Sequence, residues 1–257
     1  MIKVKLHDWL FTEISGIIDI GTIVQLLPLR QYKGDDCVIK SAATPGVNLE
    51  EILNAVTHGV GSLLALIGLG ALMAAAYIDG SVWHVVSFSI YGISLVLLYV
   101  ASTLYHSFTN EKLKCIFKFL DHSAIYVLIA GNYTPFTLIP LHGTLGWTIF
   151  SVIWGLAIAG ITFQVFFVKR FKIFATLCYL FMGWLAVVMI KPLLATIPLE
   201  GIYWLIGGGL FYTVGAIFYL AHKIPYNHAI WHLFVLAGSI AHFIAVLRYV
   251  LPIQVMG

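Results

Sequence analysis

From about residue 49 to residue 250 the chain is written in long apolar blocks, each broken by a short polar or Gly/Pro-containing cluster. The blocks read approximately as 49–77, 82–108, 118–139, 144–168, 171–190, 201–222 and 226–250. Each is near the ~20 residues that a helix rising 1.5 Å per residue needs to cross a hydrocarbon core roughly 30 Å thick. Asp79-Gly80, Pro140 to Gly143, Lys191-Pro192 and the charged stretch around Glu111, Lys112 and Lys114 supply the breaks. Stretches such as Gly61 to Tyr77 and Val127 to Thr137 do not alternate apolar with polar, which excludes the strands of a membrane barrel. The pattern predicts an all-α membrane protein, a seven-transmembrane helix bundle whose short connections favour antiparallel neighbours.

Residues 1–48 have a different texture. They carry Lys3, Lys5, Arg30, Lys33, Lys40, Asp35 and Asp36, with Pro45-Gly46 near the end. Leu10, Ile14, Ile17, Ile18, Val24 and Leu27 recur at near-helical spacing with Glu13 and Asp19 between them, as in an amphipathic helix lying at a membrane surface. The expected organisation is a cytoplasmic N-terminal segment over 1–48, a membrane domain over 49–250 and a short outer tail over 251–257.

Composition strengthens this reading: 61% of residues are hydrophobic and 10% charged, against about a quarter charged in soluble chains. The formal charge of +3 matters less than its placement. With an inside N-terminus, every lysine and arginine except Lys191 and Arg248 falls on the inner side. That asymmetry predicts a cytoplasmic N-terminus and an outside C-terminus, the reverse of a G-protein-coupled receptor. No basic run points to nucleic acid. Residues 1–10 lack the compact apolar core of a cleaved signal peptide, so the first span is expected to act as the membrane signal.

A charged group near the middle of a span costs at least about 2.5–3.5 kcal/mol, so each ionisable residue in the blocks needs a reason. Ser102 and His106 close the second block, Asp121 opens the third, and His228 and His232 open the seventh. All five share the predicted cytoplasmic level. His228 and His232 lie four apart, on one helix face and about 6 Å from each other along the axis, which suits two ligands of one metal. His106 is the natural third ligand. No carboxylate lies between His228 and His232, so this is not the metalloprotease helix with its internal glutamate. A base would come from another helix. Asp121 is the best placed, with Ser102, one turn from His106, to orient it or to donate to a developing oxyanion.

Simpler roles stand beside these. Two histidines four apart can serve interhelical hydrogen bonding, Asp121 can pair with Lys118, and Ser102 can be a small packing residue. Glu51, Asn54 and His58 form a second polar stripe on one face of the first span, suited to supporting a ligand or lining a cavity; Glu50 and Glu51 also suit a helix N-terminus. His84 and His142 fall at the outer boundary, and His242 lies about 15 Å beyond His232, too far to share its metal.

Taken together, Glu51-x-x-Asn54-x-x-x-His58-Gly59, Ser102-x-x-x-His106-Ser107, Leu120-Asp121-His122-Ser123, Gly131-x-Tyr133-Thr134-Pro135 and His228-x-x-x-His232 form a recognisable set. The set resembles the hemolysin III branch of the progestin and adipoQ receptor family, over about residues 49–250. The resemblance implies a seven-helix fold with an inside N-terminus in the bacterial inner (plasma) membrane. It implies Zn2+ bound by His106, His228 and His232, with Asp121 holding a water beside it. The wider superfamily includes alkaline ceramidases, which hydrolyse a lipid amide with a serine matching Ser102 near the reacting centre. Bacterial members carry a hemolysin label and are linked to membrane-lipid homeostasis.

Three functions compete. The first is a zinc-dependent hydrolase of a lipid amide or ester, with membrane lipids as partners. The second is a membrane-state sensor or receptor-like protein with structural zinc. The third is a cytolytic pore, which ranks lowest because the polar residues crowd one end and trace no continuous path.

Overall fold

The computed structural model describes residues 49–167 and 172–254. The expected leader over 1–48 with its amphipathic helix, and the end of the outer tail, lie outside the described residues. Among these residues the regular structure is helical throughout, and no strand occurs. The helices are α1 (Leu49–Asp79), α2 (Val82–Ser107), α3 (Glu111–Leu138), α4 (Thr144–Phe167), α5 (Lys172–Trp184), α6 (Val187–Leu193), α7 (Leu199–Leu220) and α8 (Asn227–Ala245), the last continued by a π-helical turn, Val246–Val250. Consecutive helices pack as neighbours from α1 to α4 and again from α7 to α8, and α8 returns against α1.

Six helical stretches are long and apolar enough to cross a membrane: α1, α2, α4, α5 joined to α6, α7, and α8 with its π turn. Their outward faces explain the composition. Leu63, Ile67, Ile158 and Ile217 are each more than half exposed, and exposing such side chains to water would forfeit roughly 1.5–3 kcal/mol apiece. A handful would cancel the ~5–15 kcal/mol that holds a domain folded. Lipid is the solvent these faces require. Inward, α1 buries Asn54, His58, Gly61, Ala65, Leu72 and Ala76 at helical spacing, so polar and small residues take the side that meets α2 and α8.

The third predicted block departs from expectation in two ways. Its helix starts at Glu111 rather than near 118, because the Asn110 side chain accepts hydrogen bonds from the Lys112 and Leu113 amides at 3.0 and 3.2 Å and caps the charged stretch. It also falls outside the apolar six. Residues 130–140 are buried without interruption, so the second half of α3 faces other helices on all sides and has no lipid face to keep apolar.

The fifth block, expected as one helix, is broken between Trp184 and Val187. The buried Tyr133 hydroxyl donates to the carbonyls of Met182 and Gly183 at 2.7 and 2.8 Å, and the next bonds tighten to the i→i+3 type at Ala186, Val188 and Met189. A side-chain donor inserted into the backbone ladder is a recognised cause of such a kink. At the other rim, His84 is fully buried. The Ser81 amide donates to its Nδ1 at 3.0 Å, which makes it the partner that caps the start of α2.

Candidate metal centre

The end of the bundle where α2 finishes and α3 and α8 begin collects the ionisable residues. His106 arrives from the last turn of α2, and His228 and His232 from the first turns of α8. Their ligand atoms all lie within 4.8 Å of one another. Two of the three rings, His106 and His232, are held from behind. His106 Nδ1 donates to Glu51 Oε2 at 2.8 Å, and the same oxygen takes Lys114 Nζ at 3.2 Å. His232 Nδ1 faces Thr57 Oγ1 at 3.1 Å and the Asn54 carbonyl at 3.3 Å. The Thr57 hydroxyl donates back to the Leu53 carbonyl at 2.8 Å, which leaves its oxygen to accept from His232.

These partners fix the tautomers. With Nδ1 protonated on His106 and His232, both Nε2 atoms carry lone pairs. His106 Nε2 and His228 Nε2 lie 3.2 Å apart, a separation that needs a proton or a cation between them. His232 Nε2 is buried and has no hydrogen-bond partner, which costs roughly 1–3 kcal/mol if nothing satisfies it. A proton between His106 and His228 leaves that cost standing. A metal ion serves all three nitrogens at once, and ligands about 2.0–2.1 Å from a tetrahedral centre stand about 3.3 Å apart, close to the 3.2 Å between His106 Nε2 and His228 Nε2. The donor set therefore fits a metal ion, and a carboxylate behind a ligating imidazole is the usual supporting arrangement.

Asp121 is 2% exposed and does not belong to the convergent set. Its carboxylate sits beside Ser102, whose fully buried hydroxyl has no partner at ordinary hydrogen-bond distance, and 3.6 Å from His122 Nδ1. His58 stacks on His232 with centroids 3.5 Å apart and meets the Tyr99 ring edge-on at 5.0 Å. Both nitrogens of His58 are buried without partners. His242 stands apart, its Nε2 donating to the Leu205 carbonyl at 3.0 Å. The exposed His222 and His142, which donates to the Leu138 carbonyl at 2.9 Å, also lie outside the convergent set.

Thr57 and Lys114 are the residues that sequence reasoning missed. Thr57 had a signal, since it follows Asn54 by three on the face already marked by Glu51, Asn54 and His58. Lys114 had none beyond its charge, because its role depends on where α3 begins.

From His58 and Trp231 a cavity of about 160 Å³ runs between α3, α5, α7 and α8 as far as Asn132 and His242. Its walls are mostly apolar, with Leu128, Ile129, Leu205 and Val235 among them. Trp184 and Val187, at the break between α5 and α6, belong both to the cavity wall and to the exposed outer face.

The family model for haemolysin-III-related proteins matches residues 47–243. The chain is 55% identical over 203 residues to Hemolysin-3 of Bacillus cereus, covering 79% of this chain and 93% of that one. It is 54% identical over 200 residues to a Hemolysin-3 homolog of Bacillus subtilis (strain 168), covering 78% and 94%. Human monocyte to macrophage differentiation factor is 29% identical over 206 residues, covering 78% of this chain and 84% of its own. The last match fits the wider progestin and adipoQ receptor relationship. Apolar helices and bacterial relatives together identify a multi-pass integral membrane protein of the bacterial plasma membrane. With the motif residues of α1, α2, α3 and α8 inside the matched region and more than half of the sequence conforming to one model, the chain belongs to the haemolysin-III-related family.

Proposed function

We propose that this protein is a seven-span membrane hydrolase that binds Zn2+ through His106, His228 and His232 and cleaves an amide or ester bond of a membrane lipid. The observation that carries the proposal is the composition of the centre: three convergent imidazoles, a buried carboxyl outside the ligating set, and an apolar cavity lined by His58 and Trp231, the two rings packed against His232. Structural zinc sites close with four protein ligands, whereas catalytic ones keep three. What a bound zinc supplies is Lewis acidity toward a carbonyl and a lowered pKa of water.

The chain's own residues do the rest. Asp121 accepts the proton that a water gives up as its oxygen adds to the carbonyl, and passes it to the amine or alcohol that leaves when the amide or ester bond breaks. Ser102 orients Asp121 or donates to the oxyanion as the carbonyl is attacked. Glu51 and Thr57 hold the His106 and His232 rings in the tautomer that points Nε2 inward. The cavity takes the acyl chain and keeps bulk water from the reacting carbonyl. The distribution of Lys and Arg supports an inside N-terminus and an outside C-terminus, with α3 as the seventh span, so the centre opens toward the cytoplasm.

The name of the Bacillus relatives suggests lysis. The mostly apolar walls of the cavity support a lipid-handling role over an aqueous pore. The purified full chain is expected to carry about one zinc and to hydrolyse a lipid amide, with His232→Ala losing both metal and turnover, and Asp121→Ala keeping the metal and losing turnover. Wild-type hydrolysis by Asp121→Ala would overturn the assignment.

A further inference from the structure

The far end of the cavity is built differently from its walls. Asn132 on α3 and His242 on α8 both line it, and each is only 8% exposed. Asn132 Oδ1 and His242 Nδ1 are buried and have no hydrogen-bond partner. The His242 ring is fixed, because its Nε2 donates to the Leu205 carbonyl at 3.0 Å and a Cβ at Gly208 would collide with its edge. With Nε2 protonated, Nδ1 holds a lone pair. Asn132 Oδ1 is an acceptor by nature.

Two of the neighbouring tyrosine hydroxyls already have a partner. The Tyr99 hydroxyl donates to Ser239 Oγ at 2.8 Å, and the Tyr212 hydroxyl shares the same oxygen at 2.9 Å. Two acceptors are thus left over at the end of a mostly apolar cavity, ten residues beyond His232 along α8, or about 15 Å by helical rise.

We infer that Asn132 and His242 form a second polar subsite that accepts hydrogen bonds from a donor group, a hydroxyl above all, carried on a long apolar chain occupying the cavity. Leaving an acceptor buried and unpaired costs roughly 1–3 kcal/mol, and Asn132 and His242 each bring one to the lining of this cavity. An alkyl chain alone fits the walls and leaves both unsatisfied. A chain bearing a hydroxyl satisfies them and fills the walls together, so the cavity discriminates between amphiphiles by the presence of a donor. An ether of the same length presents an oxygen without a proton and meets two lone pairs. The selection is independent of the metal, since the subsite shares no ligand with it.

Hexadecanol and hexadecyl methyl ether make a suitable probe pair, bound to the full chain in lipid nanodiscs and measured by titration calorimetry. The alcohol is expected to bind roughly tenfold or more tightly than the ether, one good hydrogen bond to a buried acceptor being worth about that factor. Asn132→Leu and His242→Phe keep the bulk and remove the acceptors. Each is expected to reduce the preference severalfold and the pair to abolish it, while ether binding is unchanged. His242→Phe disturbs the packing against Gly208, so Asn132→Leu is the decisive variant should the other fail to fold.

The preference should persist in His232→Ala, which separates this subsite from the proposed metal chemistry. Equal binding of alcohol and ether by the wild-type chain, or an undiminished preference in Asn132→Leu, would overturn the inference. A structure with ordered water alone on both acceptors in the presence of saturating alcohol would do so too.

Discussion

Glu51 offers the most direct test of how the metal centre is held. Its Oε2 accepts from His106 Nδ1 at 2.8 Å and from Lys114 Nζ at 3.2 Å, and the side chain is one-third exposed. Glu51→Ala leaves the buried His106 N–H without its charged acceptor, and hydrogen bonds to charged groups are worth about 1.5–3 kcal/mol. Partial exposure lets water replace some of that, so the loss should fall at the lower end, about 1.4–2 kcal/mol. That corresponds to a tenfold to thirtyfold weaker hold on the metal, within the range found for groups that support metal ligands. Glu51→Gln keeps an oxygen to accept from His106 and loses only the charge, so about threefold to tenfold is expected. Lys114→Met removes a partner of Glu51 but none of His106, and its effect should be smaller than either. The assay is competition for Zn2+ between the purified full chain and a chromophoric chelator, with total metal determined in parallel. Wild-type affinity in Glu51→Ala would refute the supporting role. Complete loss of metal in both variants would refute it in the other direction, by making Glu51 a ligand.

Other outcomes follow from the same contacts. Thr57→Val removes one acceptor from His232 Nδ1 but leaves the Asn54 carbonyl, so chelator competition should show only a few-fold loss of zinc affinity. Tyr133→Phe deprives the Met182 and Gly183 carbonyls of their donor, and thermal unfolding in detergent should record a destabilisation of about 1–3 kcal/mol. Gly160→Ala places a Cβ against the buried Tyr126 ring, which packs at a tilt against Tyr179 with centroids 4.5 Å apart; the same measurement should show a loss of about 1–3 kcal/mol. For topology, single cysteines at Glu111→Cys and Glu200→Cys, in a chain whose Cys37, Cys115 and Cys178 are serine, should label from opposite faces: an impermeant thiol reagent added to intact cells reaches position 200 and not 111.

Much of the helical layout was legible because lipid-facing helices must be apolar on the outside, and the blocks recorded that directly. The three histidines were legible because α8 places His228 and His232 on one face and because His106 and Asp121 share their depth. The failures have physical causes. The start of α3 carries an N-terminal signal, Asn110 followed by an acidic first turn, but the charges from Glu111 to Lys114 read equally as a break between two apolar blocks. The break in the fifth block was invisible locally, since Leu185 to Val188 can continue a helix and Tyr133 interrupts it from fifty residues away. The pairing of Glu51 with His106 was hidden for the same reason: a stripe on α1 reveals a polar face but not which neighbour it meets. The far subsite depends on which polar atoms remain unpaired after packing, a property no single segment carries.

The enclosure of α3 bears on how the chain enters the membrane. Residues 130–140 are covered on every side by protein, and Asp121 with the charges from Glu111 to Lys118 burdens the helix's first half. Such a segment gains little from lipid by itself, since ionisable side chains are costly to carry into hydrocarbon. It gains a great deal from α2, already made, and from α4, still to come. Its partitioning is therefore a collective event: synthesis has to run on into α4 before α3 has a shelter, and a nascent chain cut off after Leu138 should leave its third helix stranded at the membrane surface or handed to a protease.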